Sequence, residues 1–349
     1  MNHLIINPSD IYYLTGVRPH DPGEIFIIQS TKYIELSSWP LGMPLGISPV
    51  QNKGIIFCDP RTSALFDDEK YTIIDQRTEW AKNVSQFEAL ETDPDFLTQS
   101  FREKIENYGV QLTMKKSPVT QQRIIKTPEE IEKLRESQRR IKLVYEAIVP
   151  FLVPGVSEVE IARKIQILQL ELGASGPSFP PIVAFGENSA VPHHSPTGRK
   201  LRSDDFILLD MGLVYQGYCS DMTRCFVLQN IEKVKVKERN LIQDFETVYQ
   251  LLRDTTNEII AWAKPGMKMS ELDKKARELL GEYEPCFTHS LGHGVGIDIH
   301  EAPHVSSKSD EILTPGMIIT IEPGIYIAGE YGARYEEMCV VTKGGLEVF

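Results

Sequence analysis

Apolar residues recur along the chain with two different spacings, and the change between them divides it. Up to residue 120 they come in short runs, Glu24–Gln29, Gly54–Cys58 and Thr72–Asp75, each bounded by Pro, Asp or Gly as strands usually are. A helix is expected from near Asp95, with Phe96, Leu97, Phe101 and Ile105 at helical spacing. From Thr127 the pattern turns helical. Thr127-Pro128-Glu129-Glu130 joins a capping hydroxyl, a proline at the first helical position and a glutamate placed to close a capping box. Ile131, Leu134, Ile141, Tyr145 and Ile148 then mark one face, Pro150 and Pro154-Gly155 stop the helix, Ser157 with Glu160 starts another, and Gly173 ends it. These signals predict a small α/β domain over residues 1–120 and a larger domain over 121–349, an α+β chain overall.

The helix-pair pattern occurs twice. A long helix from Val236 to Trp262 is broken by Pro265-Gly266 and followed by a second from Ser270 to Leu280. Sliding Pro154 onto Pro265 carries Asp210 to Ile321, beside Glu322, and Asp221 to Gly332, four positions before Glu336. Each pair of acids lies in a strand–turn–strand pattern, Phe206–Leu213 with Cys219–Leu228 and Met317–Ile321 with Glu336–Val341. Burying one unpaired carboxylate, as the run FILLDMG implies for Asp210, costs several kcal/mol. A turn at Gln216-Gly217 folds the first pair of strands together, so two anions meet and need a cation. The repeat predicts a pseudo-symmetric domain whose halves each bring a hairpin with two acids to a shared centre.

A third stretch joins them. HSLGHGVGIDIHE, His289 to Glu301, holds three of the eight histidines with Gly292, Gly294 and Gly296 between them. An ordinary buried strand does not carry three glycines, since each weakens it. Four carboxylates with one imidazole make a hard, oxygen-rich set able to hold two divalent cations. In the first 120 residues no catalytic set assembles, and Asp10, His20, Asp21 and Arg61 are expected in solvated loops.

Charge and composition exclude other classes. A net charge of -12 argues against a general affinity for nucleic acid, and no apolar run approaches a membrane span. The opening MNHLIINPSD lacks the apolar core of a secretory signal. Five scattered cysteines without a CxxC pair read as small core residues and fit a reducing cytoplasm.

The ordered set LLDMG, SDMTR, HSLGHGVG, IEPGIY and RYEEM resembles the pita-bread metallopeptidases, most closely their Xaa-Pro branch of prolidases and aminopeptidases P. The resemblance implies a pita-bread C-terminal domain behind a creatinase/prolidase-like N-terminal domain, in a cytoplasmic homodimer acting on small proline-containing peptides. It implies two divalent ions, Mn or Co, with Zn as a further candidate. Asp221 and Glu336 match the bridging ligands, Asp210 a ligand to one ion, and His293 with Glu322 ligands to the other. Glu322 also matches the general base. His193 and His300 match the histidines that handle substrate and the developing tetrahedral intermediate, and His289 and Arg334 match second-layer and substrate-contacting positions. Arg-Tyr-Glu-Glu stands where the family more usually has Arg-Ile-Glu-Asp, so Glu336 and Glu337 compete for one ligand role. Successive strand residues face opposite ways, and Glu336 directly follows the Arg-plus-bulky pair, so it is the choice. His194 and His304 are expected to be structural or solvent-facing.

Prolidase activity is the leading expectation. An aminopeptidase P acting on longer peptides and a non-catalytic binding protein of the same fold are the alternatives. A methionine aminopeptidase is disfavoured by the N-terminal domain and by the gap from Glu322 to Glu336.

Overall fold

A computed structural model describes residues 2–19, 25–30, 54–228 and 236–349, and the chain divides into two compact units, Met1–Arg123 and Ile124–Phe349. The smaller unit is built on a six-stranded sheet. Its strands are β1 (Asn2–Ile5), β2 (Phe26–Ser30), β3 (Gly54–Cys58), β4 (Tyr71–Asp75), β5 (Ala89–Thr92) and β6 (Gln111–Met114), in the order β4-β3-β2-β1-β5-β6. Both faces are covered. Leu4, Phe26, Ile28 and Phe57 pack with Trp80, Val84 and Ile105, while their neighbours Ile5, Ile27, Ile56 and Cys58 pack with Ile11 and Val119. Coverage on both sides is why these strands read as unbroken apolar runs.

Two local expectations change here. The helix expected from near Asp95 begins at Gln99, because Thr98 caps it by accepting a hydrogen bond from the Phe101 amide. Asp10 is not in a solvated loop: it lies in the helix Pro8–Thr15, wholly buried, and pairs with Arg123 at 2.9 Å. Arg61 is solvent-facing and bonds Asp59. His20, Asp21 and the Glu24 end of the first apolar run lie outside the described residues.

In the larger unit the helices are Pro128–Ile148 with Glu158–Glu171, then Val236–Trp262 with Met269–Leu280. Thr127 and Ser157 both close capping boxes. After the first pair come β7 (Gly176–Pro177), β8 (Ile182–Phe185), β9 (Phe206–Met211), β10 (Leu213–Tyr215), β11 (Tyr218–Cys219) and β12 (Met222–Val227). After the second come β13 (Gly292–Gly294), β14 (Glu301–Val305), β15 (Ile318–Ile321), β16 (Gly324–Ile327), β17 (Tyr331–Arg334), β18 (Glu337–Thr342) and β19 (Gly345–Val348). One sheet runs β12-β9-β8. The other, β14-β13-β15-β18-β19, repeats that arrangement in its middle as β18-β15-β13. The two halves are therefore pseudo-symmetric in strand order as well as in sequence.

The expected single hairpins are nested double ones. β9 pairs with β12, but between them β10 and β11 leave for a separate sheet with β7, turning at Gln216-Gly217 where both residues have positive φ. β15 and β18 enclose β16 and β17 in the same way. Along β9, Ile207, Leu209 and Met211 pack with Ile141, Val144 and Ile161 of the first helix pair. Phe206 and Leu208 pack instead with Phe245 and Tyr331 from the second half. Asp210 continues the 206, 208 alternation, so the strand period aims it at the second half.

Candidate metal centre

Each acid of the repeat sits where a strand begins or ends. Asp210 is the penultimate residue of β9, Asp221 precedes β12, Glu322 follows β15 and Glu336 precedes β18. Asp210, Asp221 and Glu336 are buried. His293 lies in β13, whose backbone runs so close to β15 that a Cβ on Gly292 would stand 2.1 Å from the Thr320 carbonyl oxygen. His293 Nε2 is 3.2 Å from Glu322 Oε1 and 3.5 Å from Asp221 Oδ2. Asp221, His293 and Glu336 each offer a ligand atom, all within 4.8 Å of one another.

Two threonines and an arginine hold the acids. Thr223, across from Asp210 in the β9–β12 ladder, donates from Oγ1 to Glu336 Oε2 at 2.7 Å and accepts from Arg334 Nε at 3.0 Å. Thr320 donates from Oγ1 to Glu322 Oε1 at 3.1 Å and accepts the His293 amide. Arg334 also donates to Asp210 Oδ2 and to the Tyr326 hydroxyl. An arginine only donates, so the Tyr326 hydroxyl is left to donate to His289 Nε2, 2.9 Å away. His289 then carries its proton on Nδ1 and gives it to the Ser290 carbonyl at 2.8 Å. The sequence reading passed over Thr223, Thr320 and Tyr326. The two threonines had a signal: each stands two residues from an acid, on the same face of its strand.

Within the acid pair the environments differ. Glu336 faces the cluster, whereas Glu337 Oε1 accepts from Arg224 at 2.5 Å and from the Tyr335 hydroxyl at 2.7 Å. His300 is exposed and lays its ring against His293, centroids 4.3 Å apart. His193 is exposed too. His194 is set apart, bonded at 2.9 Å to the buried carboxylate of Glu158, and His304 is exposed.

The electrostatics call for a cation. Burial pushes the Asp221 carboxyl well above its usual range, and the neighbouring Glu336, Asp210 and Glu322 push it further. Burial first, then Glu322 and Asp210, raise Glu336 to about 8. Burial raises Asp210 as well, against the pull of Arg334. Glu322 goes the other way: burial would raise it, but the His293 hydrogen bond and charge bring it down to about 2. Asp210 Oδ1 and Glu336 Oε1 are buried and accept no hydrogen bond from the described residues, an arrangement costly for any polar atom. Open carboxyl oxygens beside an imidazole, in a set without thiolates, fit hard divalent ions.

Residues 132–343 match the model of metallopeptidase family M24. Over its length the chain is 31% identical to an uncharacterized peptidase of Staphylococcus aureus (strain USA300), covering 99% of this chain and 93% of that one. Its structure is similar to that of an Xaa-Pro dipeptidase from Bacillus anthracis, with TM-score 0.86, 29% identity and 99% and 92% of the two chains covered. It is also similar to an X-Pro aminopeptidase from Thermotoga maritima MSB8, with TM-score 0.82, 25% identity and coverage of 99% and 94%. The fold is the pita-bread fold with a smaller N-terminal domain.

Proposed function

We propose that this chain, which belongs to metallopeptidase family M24 and is a peptidase, is a dinuclear Xaa-Pro dipeptidase that hydrolyses the bond preceding proline. What supports the reading is the grouping of Asp221, His293 and Glu336 ligand atoms within 4.8 Å, with Glu322 3.2 Å from His293, Asp210 and Glu336 tied through Arg334 and Thr223, and buried carboxyl oxygens left open. The likeness to the Bacillus anthracis Xaa-Pro dipeptidase supports proline as the residue recognised. Asp210, Asp221, His293, Glu322 and Glu336 would hold the two ions, with Mn²⁺ or Co²⁺ ahead of Zn²⁺. Bound there, two divalent ions supply Lewis-acid polarisation of the scissile carbonyl and activation of water.

The protein's own groups do the rest. Glu322 is the general base, its carboxylate held in place by the Thr320 hydroxyl at Oε1. His300 donates an N–H to the oxygen of the carbonyl as negative charge develops on it. His193 contacts the substrate. Arg334 and His289, joined through Tyr326, hold Asp210 and the substrate-facing wall in place. A homodimer in the cytoplasm completes the reading. All five cysteines are unpaired, as a reducing compartment keeps them, and light scattering tests the dimer.

The deciding experiment loads the purified protein with Mn²⁺ and compares an Xaa-Pro dipeptide with the Xaa-Pro tripeptide that extends it. The dipeptide is expected to be cleaved with at least about tenfold higher kcat/KM. The reverse preference would establish the aminopeptidase reading, which the Thermotoga maritima likeness supports. Loaded protein that cleaves neither would overturn both.

A further inference from the structure

Asp221 is gripped by its backbone as well as crowded at its carboxylate. The β9–β12 ladder starts at the pair Met211 and Met222, so the Asp221 peptide stands just outside it. A side chain of the helix Pro128–Ile148 takes the place of a strand there. Gln138 Nε2 donates to the Asp221 carbonyl at 2.8 Å, and the Asp221 amide donates to Gln138 Oε1 at 3.2 Å. Gln138 is fully buried, on the helix face that also carries Leu134, Ile141 and Val144. Its neighbour Ser137, equally buried, serves a different segment: the hydroxyl bonds the carbonyls of Leu213 and Tyr218 at 3.2 and 3.1 Å. A primary amide set against the N–H and C=O of one residue fixes its position and its rotation together. It thereby fixes the direction in which the side chain leaves the backbone.

We propose that Gln138 is a positioning residue for the metal centre: through the Asp221 backbone it aims the Asp221 carboxylate at the ions, while its own amide touches neither ion nor substrate. The ligand atoms of Asp221, His293 and Glu336 converge within 4.8 Å, and a ligand in such a set must be held to within about 0.5 Å of its productive place. Groups behind the ligands do that holding. With Gln138 removed, the Asp221 N–H and C=O are left buried without their partner, a costly state that the segment relieves by shifting. The carboxylate shifts with it. This inference rests on the reading of Asp221 as a metal ligand, so the experiment reads the two separately.

Calorimetric titration of the metal-free protein with Mn²⁺ tests this without any turnover. Gln138→Met, similar in length but unable to make the paired bonds, should weaken Mn²⁺ binding about 10–100-fold, the usual loss when a group behind a metal ligand is removed. Ser137→Ala controls for general loosening, because it unties the same helix from Leu213 and Tyr218 and leaves the Asp221 clamp in place. In that variant Tm should fall while Mn²⁺ affinity stays. Equal losses of affinity in both variants would mean that any slackening of the helix suffices, and that result overturns the inference. If Gln138→Met does not fold, Gln138→Asn keeps the amide but draws it back by one methylene. It must show the weakened binding, or the inference falls. Asp221→Asn in the same titration should abolish binding. Unchanged affinity there would remove Asp221 from the ligands and the clamp's purpose with it. Binding lost in Asp221→Asn but intact in Gln138→Met would sink the positioning role alone and leave the metal centre standing.

Discussion

The four acids do not share one fate, and single substitutions should separate them. Asp221 stands among three other carboxylates and 3.5 Å from His293, whereas Glu337 is held through Oε1 by Arg224 and Tyr335. Asp221→Asn is therefore expected to abolish metal binding and Glu337→Gln to leave it, read by elemental analysis after metal loading and gel filtration. Metal lost from the Glu337 variant and kept by Glu336→Gln would reverse the choice within the pair. Glu336 also fixes a pH dependence. Its carboxyl is raised to about 8 in the metal-free site, above the usual carboxylate value in the unfolded chain. The folded protein then binds the extra proton, so stability falls as pH rises between those values. Tm of the metal-free protein should drop from pH 5 to pH 9, and saturating Mn²⁺ should flatten the slope. A flat metal-free profile would remove Glu336 from the crowded centre. The acids were legible in the sequence because each breaks an apolar run. Lys126 and Tyr326 were not, since nothing local tells a lysine that it will meet a glutamate from β14.

Helix ends were the easiest elements to read, because the groups that cap them are close in sequence. Thr127 accepts from the Glu130 amide, and the Glu130 carboxylate accepts from the Thr127 amide in return. Thr127→Ala should cost about 1 kcal/mol, and Val in its place, which fills the space without the cap, should do no better. A chemical-denaturation midpoint unchanged by either would mean that tertiary packing alone starts this helix. The strands were legible as runs but not as pairs. The nested hairpins are not legible in the sequence because β10 and β11 are 3 and 2 residues long and β16 and β17 only 4 each, too short for alternation to show. Their neighbours betrayed the symmetry only through the acids that end them.

For the larger unit as a whole, the reading requires two ions. Elemental analysis of loaded protein should give two divalent ions per chain, with Mn²⁺ or Co²⁺ activating more than Mg²⁺, and loading should raise Tm because a ligand held only by the folded state stabilises it. One tightly held ion with full activity would defeat the dinuclear reading. Long-range geometry of this kind also bears on the order of synthesis. Thr223 reaches its acceptor on Glu336 across 113 positions of chain. A ribosome that has completed β12 has made Asp210 and Asp221, yet Arg334, His293 and both glutamates are still untranslated. At about 5–20 residues per second the wait is on the order of ten seconds. Through that interval the early sheet holds two acids with no counter-charge to close over them, and it should stay loose and open to proteases.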